Sequence, residues 1–470
     1  MAPSELCYFT VAEASRRIAD GSVSPVELTK AHLERIAALN GRVNAYLTVM
    51  EHEAMAAARR AEKALRQGKR AGPLHGIPIG LKDVFDVKSV VTSSGSKLYR
   101  DHTATADSAA AARLKTAGAV IIGKHQLHEL AFGPTSENPH TGPARNPWDT
   151  ERVTGGSSGG STAAVAAGLC MAALGTDTGG SVRVPPALCG VAGLKPTFGR
   201  ISRVGVQPVA FSLDTVGVIA RNVKDTALVL NALAGHDSSD PSSARRPSED
   251  FTRLLGRGIE GMRIGIPKEF FFDVADREVE RAVRQAAKVM EVLGAVVDEV
   301  SIPALERTLD ISTTIAVAEF AEFARPILQR CAAGLGGDVR EVLEAGMGIS
   351  AIDYIRCQQA RSWYNRELLA AMRRCDLLLT PTSPIPAPRF DEVMVPAKAG
   401  PRNARDVLSW LTRPFNMSGM PAASVPCGFT KRGLPIGIQL AARPFREATL
   451  LQAAHAHEQA TDWHKRRPPV

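Results

Sequence analysis

The stretch that decides the fold runs from Thr154 to Arg183 and reads TGGSSGGSTAAVAAGLCMAALGTDTGGSVR. Two glycine-rich loops that carry serines stand at its ends, and an apolar segment joins them. Glycine lets the backbone adopt a positive φ and approach a bound molecule closely. The stretch therefore predicts that its two loops together form a binding or catalytic site.

The joining segment predicts that the chain turns back on itself. An alanine-rich run over Ser161–Gly168 indicates a helix that ends at the glycine, and the apolar run Cys170–Thr176 indicates a buried strand. A helix of about 10 to 14 residues rises roughly 15–21 Å, and a strand of about 7 residues returns roughly 23 Å. We therefore expect the hydroxyls of Ser157 and Ser181 to lie side by side. A phosphate-binding loop is the alternative, whereas the apolar flanks disfavour a flexible linker.

Composition indicates a soluble globular enzyme. Of the 470 residues, 44% are hydrophobic and 22% are charged, which is ordinary for such a protein. No uncharged apolar run is long enough for a membrane span, and residues 1–10 lack the pattern of a secretory signal peptide. Seven cysteines, without Cys-x-x-Cys or His-Glu-x-x-His, predict reduced thiols, no metal site and a cytoplasmic location.

The net charge of +9 does not by itself predict a nucleic-acid partner. The basic residues are dispersed, and only 5% of the residues are aromatic. A platform that stacks nucleic-acid bases combines aromatic with basic side chains, and the sequence has no such interleaving. We therefore expect basic helix faces exposed to solvent, with no nucleic acid and no membrane among the partners.

Helices and strands alternate over most of the chain, which predicts an α/β fold. A helical layer is expected over about residues 1–70. Strands are then expected near 75–83, 119–123, 262–266, 295–300, 376–380, 422–425 and 435–440, and helices near 107–118, 223–234, 278–293, 366–374 and 446–459. Asp107 is expected to cap its helix, and a short helix is expected over His125–Phe132. The polar segment 236–249 indicates a surface loop within a single domain over residues 1–470.

Lys82 ends the strand predicted over residues 75–83, among apolar neighbours that predict partial burial. A serine hydroxyl is a weak nucleophile until a base removes its proton, and neither glycine-rich loop contains a histidine. A buried lysine with a lowered pKa can be that base, and a second serine can relay the proton because a hydroxyl both donates and accepts. The backbone N–H groups of residues 178–181 can form an oxyanion hole.

Three other motifs lack the context that their chemistry needs. Residues 155–159 fit Gly-x-Ser-x-Gly, but no oxyanion motif lies upstream and no clear strand precedes them. Residues 118–124 resemble a phosphate loop, but their interior is a β-branched strand and His125 follows in place of Ser or Thr. Residues 94–97 fit Ser-x-x-Lys without its companion motifs. A serine nucleophile with a lysine base is the chemistry that remains.

Three motifs of the chain resemble the amidase signature family: GIPIGLKD over residues 76–83, GGSSGGS over 155–161 and GTDTGGSVRVP over 175–185. The resemblance continues through residues 189–196, 212–217, 416–421 and 433–440, so it covers nearly the whole chain. It implies a single large twisted mixed β-sheet between helical layers. It also implies hydrolysis of an amide through an acyl-enzyme, without a cofactor or a metal.

The resemblance further implies a role for individual residues. Ser181 is expected as the nucleophile, Ser157 as the relay on a cis peptide after Gly156, and Lys82 as the general base. The residues expected to form the oxyanion hole are Thr178, Gly179, Gly180 and Ser181, and those expected to support the loop are Asp177, Arg183 and Ser158.

Substrate selection is expected in the variable segments 131–132, 206–211, 316–348 and 408–414. The side chains of Ala131, Phe132, Phe211 and Trp410 predict a pocket for an apolar or aromatic group, with a purely structural role in the core as the alternative. The expected partner is a small-molecule amide of the apolar or aryl kind, or a compound with a carbamate or urea-type bond. The family also allows a homodimer.

The main alternative within the family is the glutaminase (A) subunit of a tRNA-dependent amidotransferase, which releases ammonia from glutamine. That subunit needs an acidic side chain to hold the α-amine of glutamine. The position expected for the acid falls near Ser409, where the sequence has none. A non-enzymatic binding protein is a more remote alternative, because all three triad positions carry the residue types that catalysis needs.

Overall fold

A computed structural model, which describes residues 3–395 and 400–470, has a central β-sheet of eleven strands flanked by helices. The strands are β1 (Tyr46–Val49), β2 (Pro78–Lys82), β3 (Val120–His125), β4 (Ala172–Asp177), β5 (Ala192–Lys195), β6 (Thr215–Ala220), β7 (Arg263–Pro267), β8 (Val296–Val300), β9 (Leu377–Pro381), β10 (Ala422–Phe429) and β11 (Pro435–Ala442). Their order across the sheet is β1-β3-β2-β4-β6-β5-β10-β11-β9-β7-β8. Parallel and antiparallel pairs both occur, so the predicted mixed sheet with helical layers is confirmed.

Helices supply the rest of the regular structure. The α-helices are α1 (Pro3–Leu6), α2 (Val11–Ala19), α3 (Pro25–Val43), α4 (Glu51–Arg66), α5 (Ala109–Thr116), α6 (Gly159–Ala166), α7 (Val184–Cys189), α8 (Val223–Leu233), α9 (Arg277–Val292), α10 (Thr308–Cys331), α11 (Gly337–Met347), α12 (Ala351–Ala371), α13 (Ala404–Val407), α14 (Arg413–Met417) and α15 (Glu447–Gln459). Single 3-10 turns occupy Lys97–Tyr99, Glu129–Ala131, Pro303–Arg307, Ala332–Gly334 and Trp463–Lys465. Two small ribbons outside the sheet pair Arg145–Asn146 with Asp149–Val153, and Met394–Val395 with Arg402–Asn403.

The central strands are apolar on both faces. Along β3, Val120 and Ile122 join an apolar cluster that includes the alanines of α6, whereas Ile121 joins the larger cluster. Successive side chains of a strand point to opposite faces, so a strand covered on both sides needs a continuous apolar run. This requirement explains why β3 and β4 appear in the sequence as unbroken apolar segments.

The pairing of β2 with β4 positions the glycine-rich loops. The two strands are parallel neighbours, with Leu81 opposite Leu174, so their carboxyl ends lie at the same edge of the sheet. Lys82 ends β2, and residues 178–181 follow β4. Helix α6 and strand β4 carry the chain away from residue 157 and back, as the sequence predicts.

Local signals locate several elements to within one or two residues. Residues 10–13 and 24–27 each fit the Ser/Thr-x-x-Glu pattern of a helix start, and the side chains of Thr10 and Ser24 do cap α2 and α3 by accepting backbone hydrogen bonds of 2.9 and 3.0 Å. Helix α6 has 8 residues, fewer than expected. Gly168 (φ 70°) follows it closely and turns the chain towards β4.

Two local predictions are wrong. Ser108, not Asp107, caps α5, while the Asp107 carboxylate accepts a hydrogen bond from the backbone N–H of Lys88 at 2.9 Å. The helix expected over 125–132 is reduced to a 3-10 turn, because Leu130 and Ala131 have positive φ angles of 51° and 59°.

The segment from 308 to 371 forms three helices, α10 to α12, of which the sequence predicts only the end. Parts of α10 and α11 reach the cavity described below. Residues 236–249 contain neither helix nor strand, and the assignment of the chain to a single domain stays a prediction. In the ranges that the structure describes, no helix has both the length and the apolar composition needed to cross a membrane.

Candidate active site

A lysine and two serines form a continuous hydrogen-bonded chain at the edge of the sheet. Lys82 Nζ donates to Ser157 Oγ at 2.8 Å, and Ser157 Oγ donates to Ser181 Oγ at 3.0 Å. Lys82 Nζ also donates to Thr176 Oγ1 at 2.9 Å. The side-by-side placement of the two serines that the sequence predicts is therefore present. A base and a hydroxyl at these distances can pass a proton between them.

The environment of Lys82 favours its neutral form. Its side chain is fully buried, and this burial lowers the pKa of the amine to about 7, although the carboxylates of Asp214 and Asp177 oppose the shift. An ordinary lysine is protonated at neutral pH and has no lone pair with which to accept a proton. Lys82 therefore has the property that a general base requires.

Crowding around Gly156, the second residue of the GGSSGGS motif, excludes any side chain at that position. A Cβ at this position would lie 2.6 Å from Gly133 O and 2.8 Å from the backbone nitrogens of Thr135 and Ser136. The peptide between Gly156 and Ser157 is cis. Ser158, next in the chain, donates from Oγ to Thr176 O at 3.3 Å and so ties this loop to β4.

The loop after β4 has the features of an oxyanion hole. Among the described residues, none accepts a hydrogen bond from the backbone N–H groups of Thr178–Ser181. Gly180 adopts a φ of 138°, which disfavours any residue with a side chain. A Cβ there would also overlap the hydroxyl of Thr412. Free N–H groups beside Ser181 can stabilise a negative charge on a reacting oxygen.

Asp177 and Arg183 brace this loop from within the protein. Arg183 donates from Nε and Nη2 to the two Asp177 oxygens at 3.0 and 2.8 Å, and both side chains are fully buried. Asn416 Nδ2 donates to Asp177 Oδ1 at 2.8 Å, and Arg183 Nη1 donates to Gln439 Oε1 at 2.7 Å. Burial alone would raise the pKa of Asp177, but the Arg183 guanidinium, the hydrogen bond from Asn416 and the charge of Lys195 together hold this pKa below its usual range.

Ser181 opens into a cavity of about 350 Å³. One part of the wall is apolar and the other is charged or polar. The apolar lining includes Ala131, Phe132, Val209, Leu213, Ala316, Val317 and Val342, and the charged lining consists of Asp338, Arg405, Asp406 and Arg413, with His128 beside Asp338.

The predicted pocket residues are only partly brought together. Ala131 and Phe132 line the cavity, and the Phe132 ring stacks on Phe320 at 4.3 Å between centroids. Phe211 does not line this cavity, because it is 57% exposed and lies at a separate surface depression together with Pro208 and Asp214. Trp410 packs among apolar clusters, while its neighbour Ser409 faces the cavity.

Several residues of the site are missed by sequence reasoning. Thr176 and Gln439 lie within apolar strands and inside motifs that carry the family resemblance, but sequence reasoning assigns no role to their polar side chains. Asn416 belongs to a motif that carries the family resemblance, which is a signal that could have found it. Arg413 lies within the predicted segment 408–414 but carries no motif of its own.

A family model described as Amidase matches residues 27–451, the greater part of the chain. The chain belongs to the amidase family. Members of this family act on carbon–nitrogen bonds, so the predictions of an enzyme and of the amidase class are confirmed.

Known relatives of this amidase cover its whole length. Over 489 residues it is 42% identical to the A-type subunit of the glutamyl-tRNA(Gln) amidotransferase of Moorella thermoacetica, with 99% of each chain covered. The crystal structure of the Thermotoga maritima subunit of the same name has 32% identity and a TM-score of 0.79, covering 97% of this chain and 95% of that one. A structure described as a vestigial complex that reveals the origins of an s-triazine catabolic enzyme has 35% identity and a TM-score of 0.93, covering 96% and 98%.

These names contradict the prediction about partners. That prediction named a small-molecule amide and excluded nucleic acid, whereas the relatives from Moorella thermoacetica and Chloroflexus aggregans are both named as subunits of a glutamyl-tRNA(Gln) amidotransferase. The inference from composition is wrong because interleaved aromatic and basic residues identify a stacking platform for bases. They give no information about a subunit that belongs to a larger assembly.

Proposed function

We propose that this amidase is the A-type subunit of a tRNA-dependent amidotransferase and hydrolyses the side-chain amide of glutamine. The observation that carries the proposal is the hydrogen-bonded chain from Lys82 to Ser181, which ends in a cavity lined by both cationic and anionic side chains. Free glutamine is a zwitterion with an amide at the far end, so it suits such a cavity. Similarity to subunits of that name over 99% of the chain supports the assembly.

In the proposed reaction, neutral Lys82 takes a proton from Ser157 as Ser157 takes one from Ser181. Ser181 Oγ then forms a bond to the amide carbon, and the N–H groups of residues 178–181 stabilise the negative oxygen. The carbon–nitrogen bond breaks, and the leaving nitrogen receives the proton through Ser157. Water, activated by the same base, hydrolyses the acyl-enzyme. Glutamine and water thus become glutamate and ammonia.

The absence of an acid at position 409 does not leave the cavity without carboxylates. Asp406 lies one turn before Ser409, and Asp338 reaches the same wall from α11. Burial opposes ionisation of Asp338, but its 2.8 Å contact with His128 and hydrogen bonds from the backbone N–H groups at the start of α11 together lower the pKa of this carboxyl. A charged carboxylate near the α-amine of glutamine is therefore available from another part of the chain. The apolar wall can pack against the methylene groups of the substrate.

The proposal is tested by labelling and by turnover. A fluorophosphonate should give one adduct, on Ser181, and ammonia release from glutamine should exceed that of Ser181→Ala by at least about 1,000-fold. The chain should be assayed alone and as copurified with its partner subunits. Labelling of Ser181 with hydrolysis of aryl amides, but no ammonia from glutamine in either preparation, would contradict the glutaminase role. An absent adduct in both preparations would contradict the triad.

A cytoplasmic location and a single domain over residues 1–470 belong to the same proposal. A protein that acts on a tRNA-linked substrate would need to share a compartment with aminoacylated tRNA. Fractionation of the source cells tests the location, and limited proteolysis within residues 236–249 tests whether the two flanking parts separate.

A further inference from the structure

Arg413 is placed beside the loop that carries Ser181. It begins α14 and lines the cavity. A Cβ added to Gly179 would lie 3.8 Å from Arg413 Cγ and 4.0 Å from Nε, so the arginine runs along the loop of free N–H groups. Thr412, the preceding residue, donates to Gly179 O at 2.5 Å and fixes this arrangement.

The guanidinium of Arg413 is hydrogen-bonded to two hydroxyl groups. Nε and Nη2 each donate to Ser409 Oγ at 3.3 Å, and Nη1 donates to Thr313 Oγ1 at 2.6 Å. In the part of the chain that the structure describes, no carboxylate oxygen lies within 4.0 Å of its nitrogens. Burial lowers the pKa of Arg413 to about 10, with the Asp406 carboxylate acting in the opposite direction. The group thus stays cationic at neutral pH while it is poorly solvated.

Two other arginines with buried side chains form ion pairs, whereas Arg221 donates to the carbonyls of Phe9 and Cys170 and has no ion pair among the described residues. Arg183 forms a two-pronged ion pair with Asp177, and Arg200 contacts both Glu249 and Glu447. Removing an arginine from water costs free energy, and buried charges in proteins are therefore usually paired. Arg413 has only hydroxyl partners among the described residues and lines the cavity into which Ser181 opens, so its remaining N–H donors are available to a bound ligand.

The other charged groups of the cavity do not fill this role. Arg405 is paired with Glu137 at 3.0 Å, and its side chain is 54% exposed. Asp338 contacts His128. Asp406, the remaining acid, attracts Arg413 without reaching ion-pair distance. Among the described residues of this wall, Arg413 is therefore the cation that has no ion pair and still has N–H donors free.

We infer that Arg413 binds a carboxylate of the amide substrate, beside the loop that carries Ser181. A planar guanidinium can hold a carboxylate with two parallel hydrogen bonds, which fixes both the position and the orientation of the ligand. The inference rests on the proposed function in one respect, since that function makes the ligand group the α-carboxylate of glutamine. More generally, it limits the substrates of the cavity to amides that carry an anionic group.

Binding to a chain that cannot turn over tests this inference without reference to glutaminase activity. Calorimetry on Ser181→Ala compares glutaramate, which has an amide and a carboxylate, with glutaramide, which has an amide in place of that carboxylate. Glutaramate should bind at least about 10-fold more tightly, since a hydrogen bond to a charged group is stronger than one to a neutral group. The preference should disappear in Ser181→Ala/Arg413→Met and be smaller in Ser181→Ala/Arg413→Lys.

Arg405→Met in the same background is the matched control, because it removes a positive charge from the same wall that is already paired. It should keep the preference for glutaramate, and circular dichroism should show that every variant is folded. Equal affinities for the two ligands in Ser181→Ala, no binding of glutaramate, or a preference that survives Arg413→Met would each overturn the inference. A carboxylate preference together with absent glutamine turnover would instead refute the glutaminase role alone.

Discussion

At the scale of single residues, burial is what gives Lys82 its chemistry. The side chain lies at the end of a strand, where Ser157 and Thr176 accept its hydrogen bonds and solvent does not reach it. Removing an ammonium group from water disfavours the charged form, and the nearby carboxylates only partly compensate. A residue that is ordinarily an acid at neutral pH thereby becomes a base.

This lowered pKa predicts how activity depends on pH. Protonated Lys82 cannot accept a proton, so kcat/KM should fall about tenfold per pH unit below about 7 and level off above it. A pH–rate profile of amide hydrolysis between pH 5 and 9 measures this. A flat profile over that range would exclude Lys82 as the base.

Lys195 supplies the control for the pH profile, because a second buried lysine could titrate in the same range. Burial also lowers its pKa to about 7, yet its Nζ donates to Pro196 O and lies outside the hydrogen-bonded chain to Ser181. Lys195→Met should keep the inflection near pH 7. The residual activity of Lys82→Met should lack it, and the opposite pattern would assign the titration to Lys195.

At the scale of elements, the loop between β4 and α7 is held in one conformation by packing from distant segments. Thr412 holds the Gly179 carbonyl, and Asn416 and Gln439 complete the hydrogen bonds of the Asp177–Arg183 pair. With these contacts in place, the backbone N–H groups of residues 178–181 have no acceptor among the described residues, and Thr178, Gly179 and Ser181 line the cavity. A preformed loop does not need to reorganise when charge develops on the substrate, which is the condition for an effective oxyanion hole.

Substituting Gly180 with alanine should therefore cost stability. The residue has a φ of 138°, and its new Cβ would overlap the Thr412 hydroxyl, so we expect a loss of about 3 kcal/mol in the free energy of unfolding. Gly256→Ala is the matched control, because its φ of 84° is also positive but nothing lies within 4 Å of the added Cβ. It should cost about 1 kcal/mol. Urea unfolding measures both, and equal losses would show that crowding at Gly180 is unimportant.

At the scale of the whole molecule, the sheet determines which side chains are inaccessible. Helices cover both faces of its central strands, and five of the seven cysteines are buried: Cys7, Cys170, Cys189, Cys375 and Cys427. Cys331 is exposed, and Cys357 is partly buried. Burial also raises the pKa of the Cys7 thiol to about 11 and that of Cys170 to about 12, so little reactive thiolate forms.

Titration of the thiol groups should show how many cysteines are accessible to solvent in the folded chain. In the native chain at pH 8, two cysteines should react with Ellman's reagent within minutes, and all seven should react in urea. Peptide mapping after brief alkylation should find Cys331 and Cys357 modified. A third rapidly reacting thiol in the native protein would show that one of the buried faces opens readily.

Local signals in the sequence determined much of the fold. Residues 10 and 24 mark helix starts because a side-chain oxygen satisfies a backbone N–H three positions later, within one turn. The run from Ser161 to Thr176 predicts a helix and a returning strand because the residue patterns typical of a helix and of a buried strand both depend only on neighbouring residues. The motifs at residues 82, 157 and 181 likewise name the candidate triad, since its chemistry restricts which residue types can stand there.

The tertiary structure alone decided what surrounds that triad. Thr412 contacts Gly179 across 233 positions of sequence, and this packing brings Arg413 beside Ser181. Phe211 and Trp410 have the apolar character of pocket residues, but Phe211 lies at a separate depression and Trp410 packs against an apolar cluster. Composition and motifs cannot supply such information, because burial, pKa and the sign of the charge facing a cavity depend on which distant segments pack together.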